Sequence, residues 1–401
     1  MWEKTMPIEQ VREIRGKSSV FLGIGAIEKI YDIANEVKTR GLNKALIVTG
    51  KSGYKKCGAW DYVKKALEEN DIEYVLYNKV TPNPLNTQID EAKILGIELG
   101  AKFVIGIGGG SSIDTAKSAA IMINYPNKTA SELYEYKFTP KKSLPVIAIN
   151  TTHGTGSEGN RFAVTSILDD GKEFKPAIAY DFSYPMYSID DPKLMITLPK
   201  LQTLYTSIDA VNHVFEACTT SVTSPYSVLL AKETVRLVDK YLPKALENGE
   251  DLEARYYLSY AALMGGICFD NGMVHLTHAL EHPLSAMKPN LAHGLGLAVI
   301  LPSIAKYTYK ARPEVLADVL SPIIPELKGY KEEAVKVSLG IKKWLHDLGV
   351  KETLSDLGFK DEDIKRLVEL TFKTPSLDLL LNCSPIKSTE DLITAIYKES
   401  L

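Results

Sequence analysis

The chain has 401 residues, of which 45% are apolar and 24% are charged, as in an ordinary globular protein. This composition excludes a largely disordered chain, a fibrous repeat and a small disulfide scaffold. The 47 basic and 50 acidic side chains give a net charge of −3, so no global basic field favours nucleic acid as a partner.

The sequence shows no sign of a membrane segment or a secretion signal. No apolar run is long enough to cross a bilayer, and the N-terminal residues lack the pattern of a signal peptide. The four cysteines lie far apart without paired spacing, which favours free thiols in a reducing compartment. We therefore expect a cytoplasmic protein. Glutamine occurs only at positions 10, 88 and 202, and scarcity of thermolabile amides is typical of a thermophilic source.

The first half of the chain alternates β-rich runs with helical patterns, which predicts a parallel sheet covered by helices on both faces. Strands are predicted at 44–49, 73–77, 103–107 and 145–150, with helices at 62–70 and 88–99. Residues 162–168 and 177–180, separated by Asp169, Asp170 and Gly171, predict a hairpin attached to that sheet.

After about residue 191 the strand signals fade and amphipathic helices dominate. Helices are predicted at 226–246, 251–269, 332–348 and 361–372. The last three open near an acidic residue that suits a helix N-terminus. We therefore predict an α/β domain over 1–191 and an all-helical domain over 192–401. The cleft between them is the expected meeting place of cofactor and substrate.

A glycine-rich turn separates the predicted strand at 103–107 from a helix that opens at Ser111 or Ser112. Its glycines are Gly106, Gly108, Gly109 and Gly110. Glycine lets the backbone approach a phosphate closely, and a helix N-terminus offers unpaired N–H groups. The turn therefore predicts a phosphate or pyrophosphate site, although it matches neither the G-x-G-x-x-G fingerprint nor a P-loop. The alternative is a tight turn without a ligand.

A carboxylate and several histidines are concentrated in the helical half. Asp209 and His213 are four residues apart, which places both on one face of a predicted helix. Further along the chain lie His275, His278, His282 and His293. Such a set is typical of a site for Zn²⁺, Fe²⁺ or a similar divalent ion, whereas the Asp–His pair alone is more often a surface or capping pair. Spacing does not decide which of the first three later histidines bind the ion.

Taken together, five motifs resemble the iron-containing (group III) alcohol dehydrogenases over essentially the full chain. They are G-G-G-S-S-I-D-T-A-K at 108–117, T-T-H-G-T-G-S-E at 151–158, D-P-K-L at 191–194, D-A-V-N-H at 209–213 and H-A-L-E-H-P-L at 278–284. The resemblance implies a dehydroquinate synthase-like architecture. In it, an α/β N-terminal domain with a Rossmann-like parallel sheet binds the nucleotide, and an all-α C-terminal domain holds the metal and the substrate.

The resemblance also implies roles for individual residues. The implied metal ligands are Asp209, His213, His278 and His293. His282 is implied near the nicotinamide, with a part in proton transfer, whereas His275 is expected to be a packed histidine. The implied cofactor contacts are Asn83, Gly108, Gly109, Gly110, Ser111, Asp114, Thr151, Thr152, Thr155 and Lys175. The chain departs from the family pattern at His153, which replaces a small residue and could alter the floor of the site, and at Ala292, which replaces proline.

The implied reaction is hydride transfer between a nicotinamide and a small alcohol or aldehyde, with Fe²⁺ or Zn²⁺ as Lewis acid. Phe269 and Met273 are expected to line an apolar substrate pocket. One alternative is a dehydroquinate synthase-like or glycerol dehydrogenase-like enzyme. A dehydroquinate synthase-like site needs several basic residues for a phosphate and a carboxylate, and only Lys288 lies near the metal motifs. Another is a non-catalytic nucleotide-binding protein, which the intact Asp–His set disfavours. A homodimer stays open.

The end of the strand at 44–49 predicts a preference for NADP over NAD. NAD-using relatives commonly place an aspartate there, which repels a 2′-phosphate, whereas this chain has Gly50. Lys51 and Ser52 follow and suit a phosphate dianion. The alternative is that Gly50 only makes the turn after the strand.

Overall fold

The computed structural model describes residues 2–6, 9–168 and 171–401. Within them, six parallel strands form one sheet in the order β1-β8-β5-β4-β2-β3. These strands are β1 (Ser19–Leu22), β2 (Lys44–Gly50), β3 (Glu73–Val80), β4 (Phe103–Gly108), β5 (Val146–Asn150) and β8 (Tyr187–Asp190). All four predicted sheet strands are confirmed. The sequence patterns missed β1 and β8 because each has only four residues, too few to show a period.

Helices cover both faces of this sheet, which explains why its central strands are almost entirely apolar and buried. The helices are α1 (Lys29–Thr39), α2 (Gly53–Lys56), α3 (Ala59–Glu69), α4 (Asn86–Leu99), α5 (Gly110–Met122) and α6 (Ala130–Tyr134). The two predicted helices correspond to α3 and α4. Helix α5 begins at Gly110, one residue earlier than predicted.

The predicted hairpin is present, but the prediction that it is attached to the main sheet is wrong. Its strands β6 (Phe162–Val164) and β7 (Ala177–Ala179) pair antiparallel and form a separate small sheet within the described residues. The strand before the hairpin, β5, already has β4 and β8 on its two sides, so it offers no free edge for a further strand. The hairpin packs against α5 instead. The predicted turn residues Asp169 and Asp170 lie outside the described residues.

The second half of the described chain is helical. Its helices are α7 (Lys200–Ala217), α8 (Pro225–Glu247), α9 (Leu252–Gly272), α10 (Leu276–Met287), α11 (His293–Ala311), α12 (Pro313–Val319), α13 (Ala334–Leu348), α14 (Asp361–Lys373), α15 (Leu377–Cys383) and α16 (Glu390–Glu399). The four helices predicted here are confirmed as α8, α9, α13 and α14. The Asp251 carboxylate accepts a hydrogen bond from the Ala254 N–H at 3.0 Å, which caps α9 as the acidic signal predicted.

The apolar core is divided in the same way as the secondary structure. One set of buried side chains lies among the helices and comes almost entirely from 204–397, whereas other sets surround the sheet and come from 27–194. The ends of β4 and β5 face the helical half along this division. None of the helices in the described part of the chain is long and apolar enough to span a bilayer.

Candidate active site

The glycine turn joins the central strand β4 to the N-terminus of α5. Gly108 has φ of 146°, a conformation that a side chain would strain. A Cβ atom on Gly109 would lie 2.7 Å from the Thr152 side chain, and one on Gly110 would lie 2.5 Å from the Thr155 side chain. The turn therefore needs glycine because a second loop packs directly against its backbone.

This second loop follows β5 and is held to the turn through the backbone. The Thr151 N–H donates to the Gly108 carbonyl at 3.1 Å, and the Thr152 N–H donates to the Asn150 side chain at 3.1 Å. Asn150 in turn donates to Asp190 at 2.9 Å. Because β4 and β5 are adjacent parallel strands, both loops leave the same edge of the sheet.

A cleft of about 490 Å³ opens where these loops meet the helical half. Of the sequence-predicted cofactor contacts, its lining includes Asn83, Gly109, Gly110, Ser111, Thr152 and Thr155. It also includes Asp209 and His293. Gly50 and Ser52 lie at the end of β2, outside this lining. Gly50 pairs with Val80, which does line the cleft.

The carboxylate and three histidines of the predicted metal set converge from three helices. Asp209 and His213 lie on α7, His278 on α10, and His293 at the start of α11. The Oδ1 atom of Asp209 is 3.5 Å from Nε2 of His213, 3.5 Å from Nε2 of His278 and 3.8 Å from Nε2 of His293. Spacing does not decide among His275, His278 and His282, and of these three the structure brings only His278 this close to Asp209.

The donor chemistry of this cluster fits a divalent cation. Asp209 Oδ1 and His278 Nε2 are buried and have no hydrogen-bond partner among the described residues. Burial alone would raise the pKa of Asp209, but the neighbouring imidazoles, His213 first, hold it below its usual range. Burial lowers the pKa of His213 to about 4, so its imidazole is neutral. A carboxylate oxygen with three imidazole nitrogens facing it is a set that Fe²⁺ or Zn²⁺ accepts.

Two carboxylates surround His278 and stabilise positive charge at its ring. Burial lowers its pKa, but Glu216 and Asp209 outweigh burial and raise the pKa to about 9. The site therefore favours a cation at this imidazole, and a metal ion satisfies that demand while leaving the ring neutral.

Two buried carboxylates next to the cluster were missed by the sequence analysis. Glu216 accepts a hydrogen bond from Nδ1 of His278, and Glu281 accepts one from Nδ1 of His293. Helical spacing could have found them, since Glu216 lies seven residues after Asp209 on α7 and Glu281 three after His278 on α10.

Two further histidines lie close to the cluster around Asp209 without belonging to it. His282 is one turn beyond His278, with its ring centroid 6.4 Å from that of His278 and 5.8 Å from that of His293. His275 precedes α10, and its Nε2 lies 2.9 Å from the Thr219 hydroxyl oxygen, so it is a packed histidine as expected.

His153, which departs from the family pattern, lines neither the cleft at the glycine turn nor the smaller cavity described below. It is buried, with Nε2 accepting a hydrogen bond from Arg255 at 2.8 Å and Nδ1 3.1 Å from the Ser207 hydroxyl oxygen. Its ring therefore connects the loop after β5 to α7 and α9.

A second cavity of about 160 Å³ is lined by the same histidine cluster. Its apolar lining consists of Pro84, Phe162, Val164, Ala177, Phe269, Val274 and Leu380, without Met273. It shares Asp209 and His293 with the larger cleft, so the two meet at the cluster. His282 also lines it.

Two predicted cofactor contacts, Asp114 and Lys175, line this second cavity but not the larger cleft. Asp114 accepts hydrogen bonds from the Ser157 hydroxyl at 2.6 Å and from the Val164 N–H at 3.0 Å. The Lys175 ammonium lies 3.3 Å from Glu281 and 3.2 Å from Nδ1 of His293. Lys175 thus lies beside His293, whereas Asp114 lies on α5 and is hydrogen-bonded to the hairpin and to the segment that leads into it.

The loop that leads into His293 is held from both halves of the molecule. The Asn83 side-chain amide donates to the carbonyls of Pro289 at 2.9 Å and Leu291 at 3.1 Å. On the other side, a Cβ atom on Gly294 would lie 1.9 Å from the Tyr205 carbonyl oxygen. The backbone around His293 therefore lies directly against α7, which carries Asp209.

Comparisons with known proteins agree with this geometry. Residues 18–192 match the family model for iron-containing alcohol dehydrogenase, and residues 203–401 match the model for the C-terminal part of the Fe-containing alcohol dehydrogenase family. Among curated relatives, the long-chain primary alcohol dehydrogenase AdhA of Thermoanaerobacter ethanolicus is 56% identical, with 100% of each chain covered. The NAD-dependent methanol dehydrogenase of Bacillus methanolicus is 29% identical, over 95% of this chain and 97% of the relative.

The fold is also similar to that of solved structures. The crystal structure of NADH-dependent butanol dehydrogenase A from Thermotoga maritima superposes with a TM-score of 0.87 at 28% identity, covering 98% of each chain. An archaeal alcohol dehydrogenase from a Red Sea brine pool superposes with a TM-score of 0.90 at 28% identity, covering 99% of this chain and 100% of the other.

Proposed function

Because this chain belongs to the iron-containing alcohol dehydrogenase family and is an NAD(P)-dependent alcohol oxidoreductase, we propose a specific assignment of its metal, cofactor and substrate sites. In the oxidative direction, the enzyme transfers hydride from the hydroxyl-bearing carbon of a primary alcohol to NADP. In the reverse direction, hydride passes from the reduced cofactor to the aldehyde. The observation that carries this assignment is the convergence of Asp209 and the three histidines where the glycine-lined cleft meets an apolar cavity.

Asp209, His213, His278 and His293 hold the divalent metal. The family name favours iron, and zinc is the alternative. A bound ion would supply Lewis-acid chemistry, which lowers the pKa of an alcohol hydroxyl towards neutrality. The protein contributes by burying the site and by holding Asp209 ionised through the neighbouring imidazoles.

The cofactor occupies the larger cleft, with its pyrophosphate at the N-terminus of α5. There Gly109, Gly110 and Ser111 line the cleft at the helix N-terminus, where unpaired N–H groups favour an anion. Thr152 and Thr155 line the cleft next to this turn and contact the nicotinamide half, with Thr151 and Gly108 completing the two loops. Asn83 holds the opposite wall. The nicotinamide then reaches the place where the two cavities meet, beside the metal ligands.

His282 accepts the proton that an alcohol loses. Burial and then the Lys175 cation lower its pKa well below the ordinary value, so the ring is neutral. One ring nitrogen, Nδ1, is buried without a hydrogen-bond partner among the described residues, which leaves it as the acceptor. Its place in the lining of the substrate cavity supports this role. The lowered pKa makes the ring a weak base, so we expect it to pass the proton on rather than to retain it.

The substrate is a primary alcohol with an apolar chain. The cavity beside the metal ligands has aliphatic and aromatic walls, and Lys175 is paired with Glu281. The relative with 56% identity is named for long-chain primary alcohols, which supports the same substrate class here.

The preference for NADP rests on Gly50. Strand β2 ends at Gly50, which pairs with Val80 in the cleft wall. The next two residues are Lys51 and Ser52, so the end of the strand carries no carboxylate. Gly50→Asp should lower the NADP-to-NAD ratio of kcat/KM by about tenfold or more, because an aspartate repels the 2′-phosphate. A Cβ atom at Gly50 would lie 3.3 Å from the Val80 carbonyl oxygen, so Gly50→Ala is the control for crowding alone. A parent enzyme that uses NAD as well as NADP would refute the preference.

We also propose that the chain divides into domains at 191/192 and that it is a cytoplasmic enzyme from a thermophile. The separation of the apolar clusters supports the boundary. Free Cys57, Cys218, Cys268 and Cys383 support a reducing compartment.

A panel of primary alcohols and aldehydes of increasing chain length tests the proposed function. Each is assayed with NADP and NAD, using enzyme stripped of metal and then supplied with Fe²⁺ or Zn²⁺. We expect metal-dependent net reduction of the cofactor, with kcat/KM rising with the length of the apolar chain. Activity restricted to polyols or phosphorylated substrates would refute the substrate class.

A further inference from the structure

The three histidines around Asp209 are not supported in the same way. Two of them have a buried carboxylate behind the ring: Glu216 accepts from Nδ1 of His278, and Glu281 accepts from Nδ1 of His293. Each hydrogen bond holds the proton on Nδ1 and leaves Nε2 free on the side of Asp209. Partners of this kind orient a metal-binding histidine and hold its tautomer.

His213 has no such partner. Its Nδ1 atom is buried and lacks a hydrogen-bond partner among the described residues. Instead, its ring lies between two other rings. The Phe269 centroid is 4.5 Å away at an interplanar angle of 28°, and the His278 centroid is 4.6 Å away at 13°. The orientation of the His213 ring therefore depends on stacking.

Phe269 also belongs to the substrate cavity. It lines the cavity of about 160 Å³, and its ring packs against Phe162, another wall residue, with centroids 5.1 Å apart. One side chain thus contacts both the apolar cavity and the histidine that lacks a carboxylate partner.

We propose that Phe269 is a positioning residue for His213, and that it sets the metal affinity of the site through ring stacking. This inference rests on the proposed ligand set and adds a residue that does not itself bind the metal. It implies that enlarging the cavity at Phe269 weakens metal binding. Enlarging it at Leu380, which lines the cavity but is not stacked on a histidine, leaves the metal affinity unchanged.

The test measures metal affinity rather than turnover. Metal-free protein is titrated with Zn²⁺, and anaerobically with Fe²⁺, in competition with a chromophoric chelator. Phe269→Leu keeps an apolar side chain but removes the ring face, and should weaken the affinity about 3- to 10-fold, the range expected for one aromatic stack. Phe269→Tyr keeps the face and should restore the affinity. Leu380→Ala is the matched control and should bind as the parent does.

The outcomes separate this inference from the function on which it rests. His278→Ala should lose far more affinity than any Phe269 variant; if it binds metal like the parent, the proposed ligand set is wrong. If His278→Ala loses metal but Phe269→Leu binds metal as tightly as Leu380→Ala does, only the proposed role of Phe269 is overturned. Far-UV circular dichroism and the Tm of each metal-free variant verify folding. Phe269→Met, which also lacks a ring, replaces Phe269→Leu if that variant does not fold.

Discussion

The proposed cofactor cleft and the proposed metal cluster share a boundary but are built from different parts of the polypeptide. The cleft is made of backbone: two loops leave adjacent parallel strands and approach each other so closely that Gly109 and Gly110 leave no room for a Cβ atom. The metal cluster is made of side chains from three helices, held by buried carboxylates and stacked rings. A substitution that adds atoms should therefore damage the cleft, whereas one that removes atoms should damage the cluster.

The largest effect is expected in the cluster. His278→Ala removes one proposed ligand and leaves Glu216 buried without its imidazole partner. We expect loss of bound metal and a fall in kcat/KM on the order of 10²–10⁴-fold, because Lewis-acid stabilisation is worth several kcal/mol. Metal content by mass spectrometry and steady-state kinetics check this.

His275→Asn is the matched control for that variant. His275 is equally buried and lies three residues earlier, but its Nε2 faces Thr219. The variant should keep its metal. A His275→Asn protein that loses metal as completely as His278→Ala would show that the cluster has been assigned to the wrong histidines.

A smaller effect is expected where the two regions are joined. His153 lies in the loop of the cleft but contacts Ser207 on α7 and Arg255 on α9. Burial, followed by the Arg255 charge, lowers its pKa to about 3. The folded protein therefore keeps this imidazole neutral at pH 5, whereas the unfolded chain protonates it below about 6.5. Stability from this residue is present above pH 6.5 and is lost as the pH falls toward 3.

Urea unfolding of the metal-free protein and of His153→Asn at pH 8 and pH 5 measures this contribution. The parent should be more stable than the variant at pH 8, and its advantage should shrink by about 2 kcal/mol at pH 5. An advantage that is the same at both pH values would mean that His153 does not stay neutral in the folded protein.

The smallest effect is expected in the cleft. Gly110→Ala places a Cβ atom 2.5 Å from the Thr155 side chain and should displace the second loop from the turn. Overpacking of this kind costs about 1–3 kcal/mol. Because the displaced loop lines the cofactor cleft, we expect this cost to raise the KM for the cofactor by roughly tenfold or more. Metal affinity should be unchanged. A variant with weaker metal binding but normal cofactor KM would contradict the separation of the two regions.

The same contrast explains what the sequence could predict. The glycine turn is readable because its signal is local: a buried strand, four glycines and a helix start follow one another. The strands of the sheet were predicted where they exceeded four residues, and β1 and β8 were missed because they did not. The hairpin was assigned to the wrong sheet because the pairing of β5 with both β4 and β8 depends on distant residues.

The metal cluster was only partly predictable for a related reason. Helical spacing put Asp209 and His213 on one face, but it could not distinguish His275 from His278. The difference is that α10 begins at Leu276, so His275 precedes the helix and faces Thr219. Spacing places Glu216 on the helix face of Asp209 and Glu281 on that of His278, but it does not show that either carboxylate is buried behind an imidazole. Only the packing of α7, α10 and α11 brings these groups together.

The most direct test of the account is whether one divalent ion per chain, held by Asp209 and three histidines, is required for alcohol oxidation. Enzyme dialysed against a chelator is titrated anaerobically with Fe²⁺ while NADP reduction by a primary alcohol is followed. The account predicts turnover below about 1% of the maximum without metal, restored in proportion to Fe²⁺ and saturating at one equivalent per chain. Full turnover in chelated, metal-free enzyme would contradict it.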